Sequence, residues 1–151
     1  MLNYTIVLNA VDGDGTNTAD KTYPFDFSSW ENGAYNLSFT YVGNQDALEA
    51  VSTCNVYANL GTTTVFNTGD SNYANTTQQI GHLLERGVGG GAIRGNYLYD
   101  ETNTNTPVYL YHKPTNQTIN IRLLTDTGAI YVDQAGQRPA NYTLTLHFQR
   151  V

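Results

Sequence analysis

The chain has 151 residues, a formal charge of −6 and a pI near 4.7. Charged residues are only 13% of it, roughly half the usual share, so the surface must be built from Asn, Thr, Ser, Gln and Tyr. Seven scattered Lys and Arg make no basic patch for nucleic acid, one Cys allows no internal disulfide, and no apolar run reaches the length of a membrane span.

The length fits one domain over 1–151, large enough to bury a core without disulfide or metal. The start, "MLNYTIVLNA", lacks the charged and apolar regions of a signal peptide and alternates like a strand. In it Tyr4, Ile6 and Leu8 take one face and Thr5, Val7 and Asn9 the other. "DGDGTNTADK" reads as a polar connection. "TYPFDFSSW" reads as a strand with Tyr23, Phe25 and Phe27 on one face, and Pro24 marks a sheet edge or a bulge. "AYNLSFTYVG" alternates strictly, with Tyr35, Leu37, Phe39 and Tyr41 on one side, as a half-buried antiparallel strand does. "TCNVYANLG" alternates again and places Cys54 as a small core residue.

Beyond it, "TTTVFNTGDSNYANTT" is a polar excursion. "QQIGHLLERG" carries Ile80, Leu83 and Leu84 at i, i+3, i+4 and predicts one short helical turn near residues 78–86, stopped at Gly87. "AIRGNYLYDE", "PVYLYHK", "TINIRLLTD" and "NYTLTLHFQRV" add four strands. The sum is an all-β sandwich of about eight short antiparallel strands.

The motifs that suggest chemistry are weak. "GVGGGA" at 87–92 has the spacing of a dinucleotide-binding turn, but that turn needs a strand before it and a helix after it. Here the order is reversed, and the helix end at Gly87 would be the negative one. "DGDG" at 12–15 begins like a calcium loop, but Thr16, Asn17 and Tyr23 stand where an acid, the required Gly and the bidentate Glu belong. His82, His112 and His147 lie far apart, and no nucleophile elbow occurs. Five N-x-[ST] sequons, among them Asn36 and Asn141, follow from a composition rich in Asn and Thr. Neither a metal nor a cofactor is expected, and the chain is not expected to be an enzyme. A free thiol fits a reducing compartment.

From "VYANLGTTTVFNTGDSNYANTTQQIGHL" through "INIRLLTDTGAIYVD" to "YTLTLHF", the order of strands and turns resembles the small single jelly-roll capsid proteins of large icosahedral double-stranded DNA viruses of eukaryotes and of their virophages. The resemblance extends from Asn3 to Val151 and rests on that order, not on invariant chemistry. It implies a single jelly roll with strands at Asn3–Val11, Tyr23–Ser29, Tyr35–Val42, Thr53–Leu60, Ile93–Tyr99, Val108–His112, Thr118–Leu124 and Asn141–Arg150. It implies a giant-virus penton at the five-fold vertex, or otherwise a minor capsid protein. The implied partners are further copies of the chain in a pentamer and other capsid proteins, including a double jelly-roll major capsid protein. The implied location is the virion, and the host cytoplasm during assembly. Subunit contacts are expected in the loops Asp12–Asp20 and Gly61–Thr77 and at Gly89–Gly91, with Asp12, Asp14, Phe66, Tyr73, Gly89, Gly90 and Gly91 as candidate interface residues. The rival reading is a carbohydrate-binding β-sandwich, with the twelve Tyr, Trp30 and many Asn as a sugar platform.

Overall fold

The computed structural model describes residues 2–11, 18–46, 54–67, 69, 73–83, 94–98, 107–130 and 141–151. Eleven strands occur among them: β1 (Asn3–Ala10), β2 (Asp20–Pro24), β3 (Tyr35–Asp46), β4 (Cys54–Ala58), β5 (Thr64–Asn67), β6 (Tyr73–Thr76), β7 (Gln78–Leu83), β8 (Arg94–Leu98), β9 (Val108–Leu110), β10 (Thr118–Leu124) and β11 (Tyr142–Arg150). All pairings are antiparallel. One sheet runs β1-β11-β3-β8, with β9 also on β3, and a second runs β2-β10-β4-β7. The protein is therefore an all-β sandwich.

Alternation builds the core. Ile6, Leu8 and Ala10 of β1, Tyr142, Leu144, Leu146 and Phe148 of β11, and Tyr35, Leu37, Phe39 and Tyr41 of β3 are buried. They meet Ile119, Ile121 and Leu123 of β10 and Cys54, Val56 and Ala58 of β4 in one cluster. Period-2 patterning puts every second side chain of each strand between the sheets.

The pairings nest. β1 joins β11, β2 joins β10, β3 joins β8 and β9, and β4 joins β7. Successive strands alternate between the two sheets except at β4 to β7 and at β8 to β9, which both lie on β3. The small β5–β6 sheet lies at that innermost turn, so the expected loop Gly61–Thr77 is in part an inserted hairpin.

Two expectations need correction. No helical turn forms over Gln78–Leu83, which is the edge strand β7; residues 84–86 lie outside the described residues. The cause is a β-bulge. Val56 pairs with Gly81 and Tyr57 with Gln79, which leaves Ile80 as an extra residue. A bulge interrupts the period of 2, so Ile80 and Leu83, three apart, are both buried and mimic helical spacing.

The second strand ends at Pro24 rather than Ser29. Phe25 still donates its N–H to Gln117 O at 3.1 Å. The Asp26 carboxylate then accepts from Ser28 N and Oγ, both at 2.9 Å, and turns the chain. The Ser28 backbone N–H and then its hydroxyl hold the Asp26 carboxyl below its usual range. β2 is a sheet edge, as Pro24 indicated.

Each of the eight expected strand segments carries a strand. β8 and β9 share one edge of β3, against Val42–Asp46 and Tyr35–Leu37, and β7 takes the remaining place.

The connection into β2 is anchored in the core. Thr18 and Ala19 are fully buried. Ala19 O accepts from Leu123 N at 2.8 Å, and Thr18 O accepts from the Tyr142 hydroxyl at 2.6 Å. Tyr142→Phe leaves that buried carbonyl without its donor and is expected to cost about 1–3 kcal/mol. Chemical denaturation would read this as a lower midpoint at an unchanged slope. An unchanged midpoint would mean that water satisfies the carbonyl.

Candidate functional site

The candidate contact residues fall in different places. Asp12, Asp14, Gly89, Gly90 and Gly91 lie outside the described residues, as does the "GVGGGA" stretch. Phe66 and Tyr73 lie on the β5–β6 hairpin in neighbouring rungs, Phe66 opposite Ala74 and Tyr73 opposite Asn67. One rung apart, the two fall on opposite faces of the hairpin ribbon, and Thr18 and Ala19 of the Asp12–Asp20 segment are buried.

Among the described residues, Cys54, Asp20 and Arg122 are engaged structurally. Cys54 points inward from β4, and burial pushes its thiol up to about 12. Such a thiol stays protonated at neutral pH and is a poor nucleophile. Asp20 pairs with Arg122 at 3.5 Å across β2 and β10, and also accepts from Asn120 Nδ2 at 3.0 Å. Arg122 donates in turn to Thr76 Oγ1 at 3.0 Å. His82 stands on β7, His112 follows β9 and His147 is on β11. Among the described residues no three His, Cys, Asp or Glu are grouped to hold a metal ion.

Trp30 closes the core as part of an aromatic group. Its ring stacks on Tyr4 at 4.0 Å and 7°, and meets Phe27 and Phe148 edge-on, each at 4.9 Å. It is only 8% exposed. A sugar platform needs a bare ring face, and Trp30 offers none. The surrounding polar groups hold this segment in place. Lys113 Nζ donates to Trp30 O at 2.8 Å and to Ser28 O at 3.1 Å. The Tyr35 hydroxyl donates to Glu31 O at 2.5 Å, and Glu31 pairs with Arg150. Arg150 also lies across Gly33, whose φ is +141°; a Cβ there would sit 3.1 Å from Arg150 Nε. Both the backbone and the space therefore call for glycine.

Sequence reasoning named loops and missed the outer face of the first sheet. Four rows of side chains cross β1, β11 and β3 on that face. Asn3, Gln149 and Asn36 form one, and Thr5, His147 and Ser38 the next. Val7, Thr145 and Thr40 follow, then Asn9, Thr143 and Val42. None of these twelve positions carries Asp, Glu, Lys or Arg. Val7 and Val42 are each 57% exposed. Polar groups on the face bond to one another: Thr143 Oγ1 donates to Asn9 Oδ1 at 2.9 Å, and His147 Nε2 lies 3.5 Å from Thr40 Oγ1. At one end a shallow hollow of about 360 Å³ opens among Asn9, Val11, Val42, Asn141 and Thr143. The alternation was visible in the sequence as the polar side of each strand. That the three strands lie side by side was not, since β1 and β11 come from opposite ends of the chain.

The outer face of the second sheet differs, because the Asp20–Arg122 pair and its hydrogen bonds lie there. Over β1, β11 and residues 36–42 of β3 the first sheet presents an uncharged surface, half of it β-branched, on a chain of charge −6. Such a surface can be covered by another protein without desolvating a charge.

Comparison with protein-family models, with curated proteins and with solved structures finds no match for this chain.

Proposed function

We propose that this chain is a structural component of an icosahedral viral capsid, a single jelly roll that forms the penton at the five-fold vertex or otherwise packs as a minor protein beside the major capsid lattice. The observation that carries the reading is the strand order. The orders β1-β11-β3-β8 and β2-β10-β4-β7 are what results when one long antiparallel hairpin rolls into two sheets, and a jelly roll is an eight-stranded double sheet of two Greek keys. The resemblance in strand and turn order from Asn3 to Val151 points the same way. The partners in this reading are further copies of the chain and other capsid proteins, among them a double jelly-roll major capsid protein. The place is the virion, and the host cytoplasm during assembly. The uncharged outer face suits a protein whose work is packing. Of the residues named for a sugar platform, Trp30 is buried, while Tyr109 and Tyr111 are exposed.

The test is the mass of the purified protein by light scattering over a range of concentrations. A mass built on a ring of five 16.6 kDa chains, about 83 kDa or a whole multiple of it, is the expected result. A five-fold ring is heterologous, one surface of each copy meeting a different surface of the next. A monomer at every concentration that also fails to co-assemble with capsid proteins would overturn the reading.

A further inference from the structure

Among the described residues four sheet edges, β1, β2, β7 and the shared β8–β9 edge, have no strand paired beyond them, and they are not equally guarded. An edge strand leaves a row of backbone donors and acceptors without partners, and proteins blunt such rows with charge, proline, bulges or short strands. β2 carries Asp20, Lys21 and Pro24. β7 is bulged at Ile80, and Thr64 Oγ1 already takes the Gln79 N–H at 2.8 Å. β8 and β9, of five and three residues, are short and share one edge. β1 has none of these devices. Its eight residues, NYTIVLNA, pair with β11 in eight unbroken rungs, with no charge, Pro or Gly.

The ladder geometry shows which groups are open. Arg150 N donates to Leu2 O at 3.1 Å, so Leu2 and Arg150 form a hydrogen-bonded pair. Such pairs alternate in an antiparallel ladder. The even residues of β1 therefore bond to β11, and the N–H and C=O groups of Asn3, Thr5, Val7 and Asn9 point to the open edge. Those same four side chains are exposed on the uncharged outer face.

We propose that the β1 edge pairs with the β1 edge of a second copy about a twofold axis at Ile6, joining the two outer sheets into one. That register is self-complementary. It sets Asn3 opposite Asn9 and Thr5 opposite Val7, twice each. All four are hydrogen-bonded pairs, so every open backbone group of both edges finds a partner. The outward pairs set one amide opposite another and one β-branched side chain opposite another, and none opposes like charges. Two chains of charge −6 repel each other, and this edge brings together no formal charge. The contact is isologous, independent of the five-fold ring, and uses a different surface rule.

The test compares wild type with Val7→Pro, which removes an edge-facing N–H and leaves the β11 ladder intact because the Val7 N–H does not point to β11. V7K is the second variant, in case proline disturbs the strand, and Val42→Lys is the control on the same face but away from the edge. Circular dichroism checks the fold of each. The expected wild-type mass is about 33 kDa, or an even multiple of a ring. V7P and V7K are expected to halve it and V42K to leave it unchanged. Amide exchange at Thr5 and Val7 should slow as concentration rises. A wild type that is monomeric throughout would overturn the proposal. So would a mass that folded V7P and V7K leave unchanged, including a pentamer, which would still support the vertex reading. Equal loss in V42K would also overturn it, since face-on packing would then be responsible.

Discussion

Replacing Trp30 with alanine is expected to cost the fold about 3–5 kcal/mol, the range for removing a large buried aromatic. The indole is held on several sides. Tyr4 of β1 stacks on it, Phe148 of β11 and Phe27 meet it edge-on, and Phe25 approaches to 5.8 Å. No single partner can collapse into the space, because each ring is fixed by a different strand or by the Asp26 turn. Aromatic pairs of this geometry add stability beyond buried area, so Trp30→Phe should lose less. Urea denaturation provides the measurement. A loss below about 1 kcal/mol would mean that the neighbouring rings close over the gap. The result bears on function as well, because reduced glycan binding in W30A would reflect unfolding before it reflected a lost platform.

Stability should also fall steeply in alkali, beginning near pH 9. Cys54 ionises near 9.0 in the unfolded chain and near 12 in the folded one, because burial opposes the thiolate. The phenol of Tyr142 is shifted in the same direction from 10.0, burial again the main cause, and the Tyr35 and Tyr57 phenols follow. Above its unfolded value each group has lost its proton in the unfolded state and kept it in the folded one. The unfolded state then binds fewer protons, so stability falls as pH rises. Each such group contributes about 1.4 kcal/mol per pH unit. Cys54 and Tyr142 together should remove about 4 kcal/mol by pH 11. That is a large part of the 5–15 kcal/mol that holds an ordinary domain. Cys54→Ala should postpone the fall to near pH 10. Melting curves from pH 7 to 11 test this, and a C54A profile that begins to fall at the same pH as wild type would sink the assignment to the thiol.

The sequence offered Trp30 as a sugar platform, and only the inward placement of Cys54, Tyr35 and Tyr142 could be read from it. Their neighbours could not. Tyr4, Trp30 and Phe148 are spread over the length of the chain and meet only because β1 and β11 pair. The proposed β1 contact has the same character. "NYTIVLNA" is visibly an uncharged strand, but whether it is open or covered depends on its place in the sheet.

The sequence by itself determined the class of fold. Strict alternation in β1, β3, β10 and β11 sets one face of each strand against water, and the register of a half-buried strand cannot slip without exposing its apolar row. It also determined that Cys54 is core and that charge is sparse. The tertiary structure alone decided three things. It made Gln78–Leu83 a bulged strand, because pairing with β4 outweighed a three-residue spacing that alone reads as helix. It ended β2 at Pro24, because the Asp26 carboxylate offered the backbone a turn in place of a ladder. It set which strands are neighbours and which edges stay open, because strand pairing joins residues more than a hundred positions apart and local pattern carries no record of such partners.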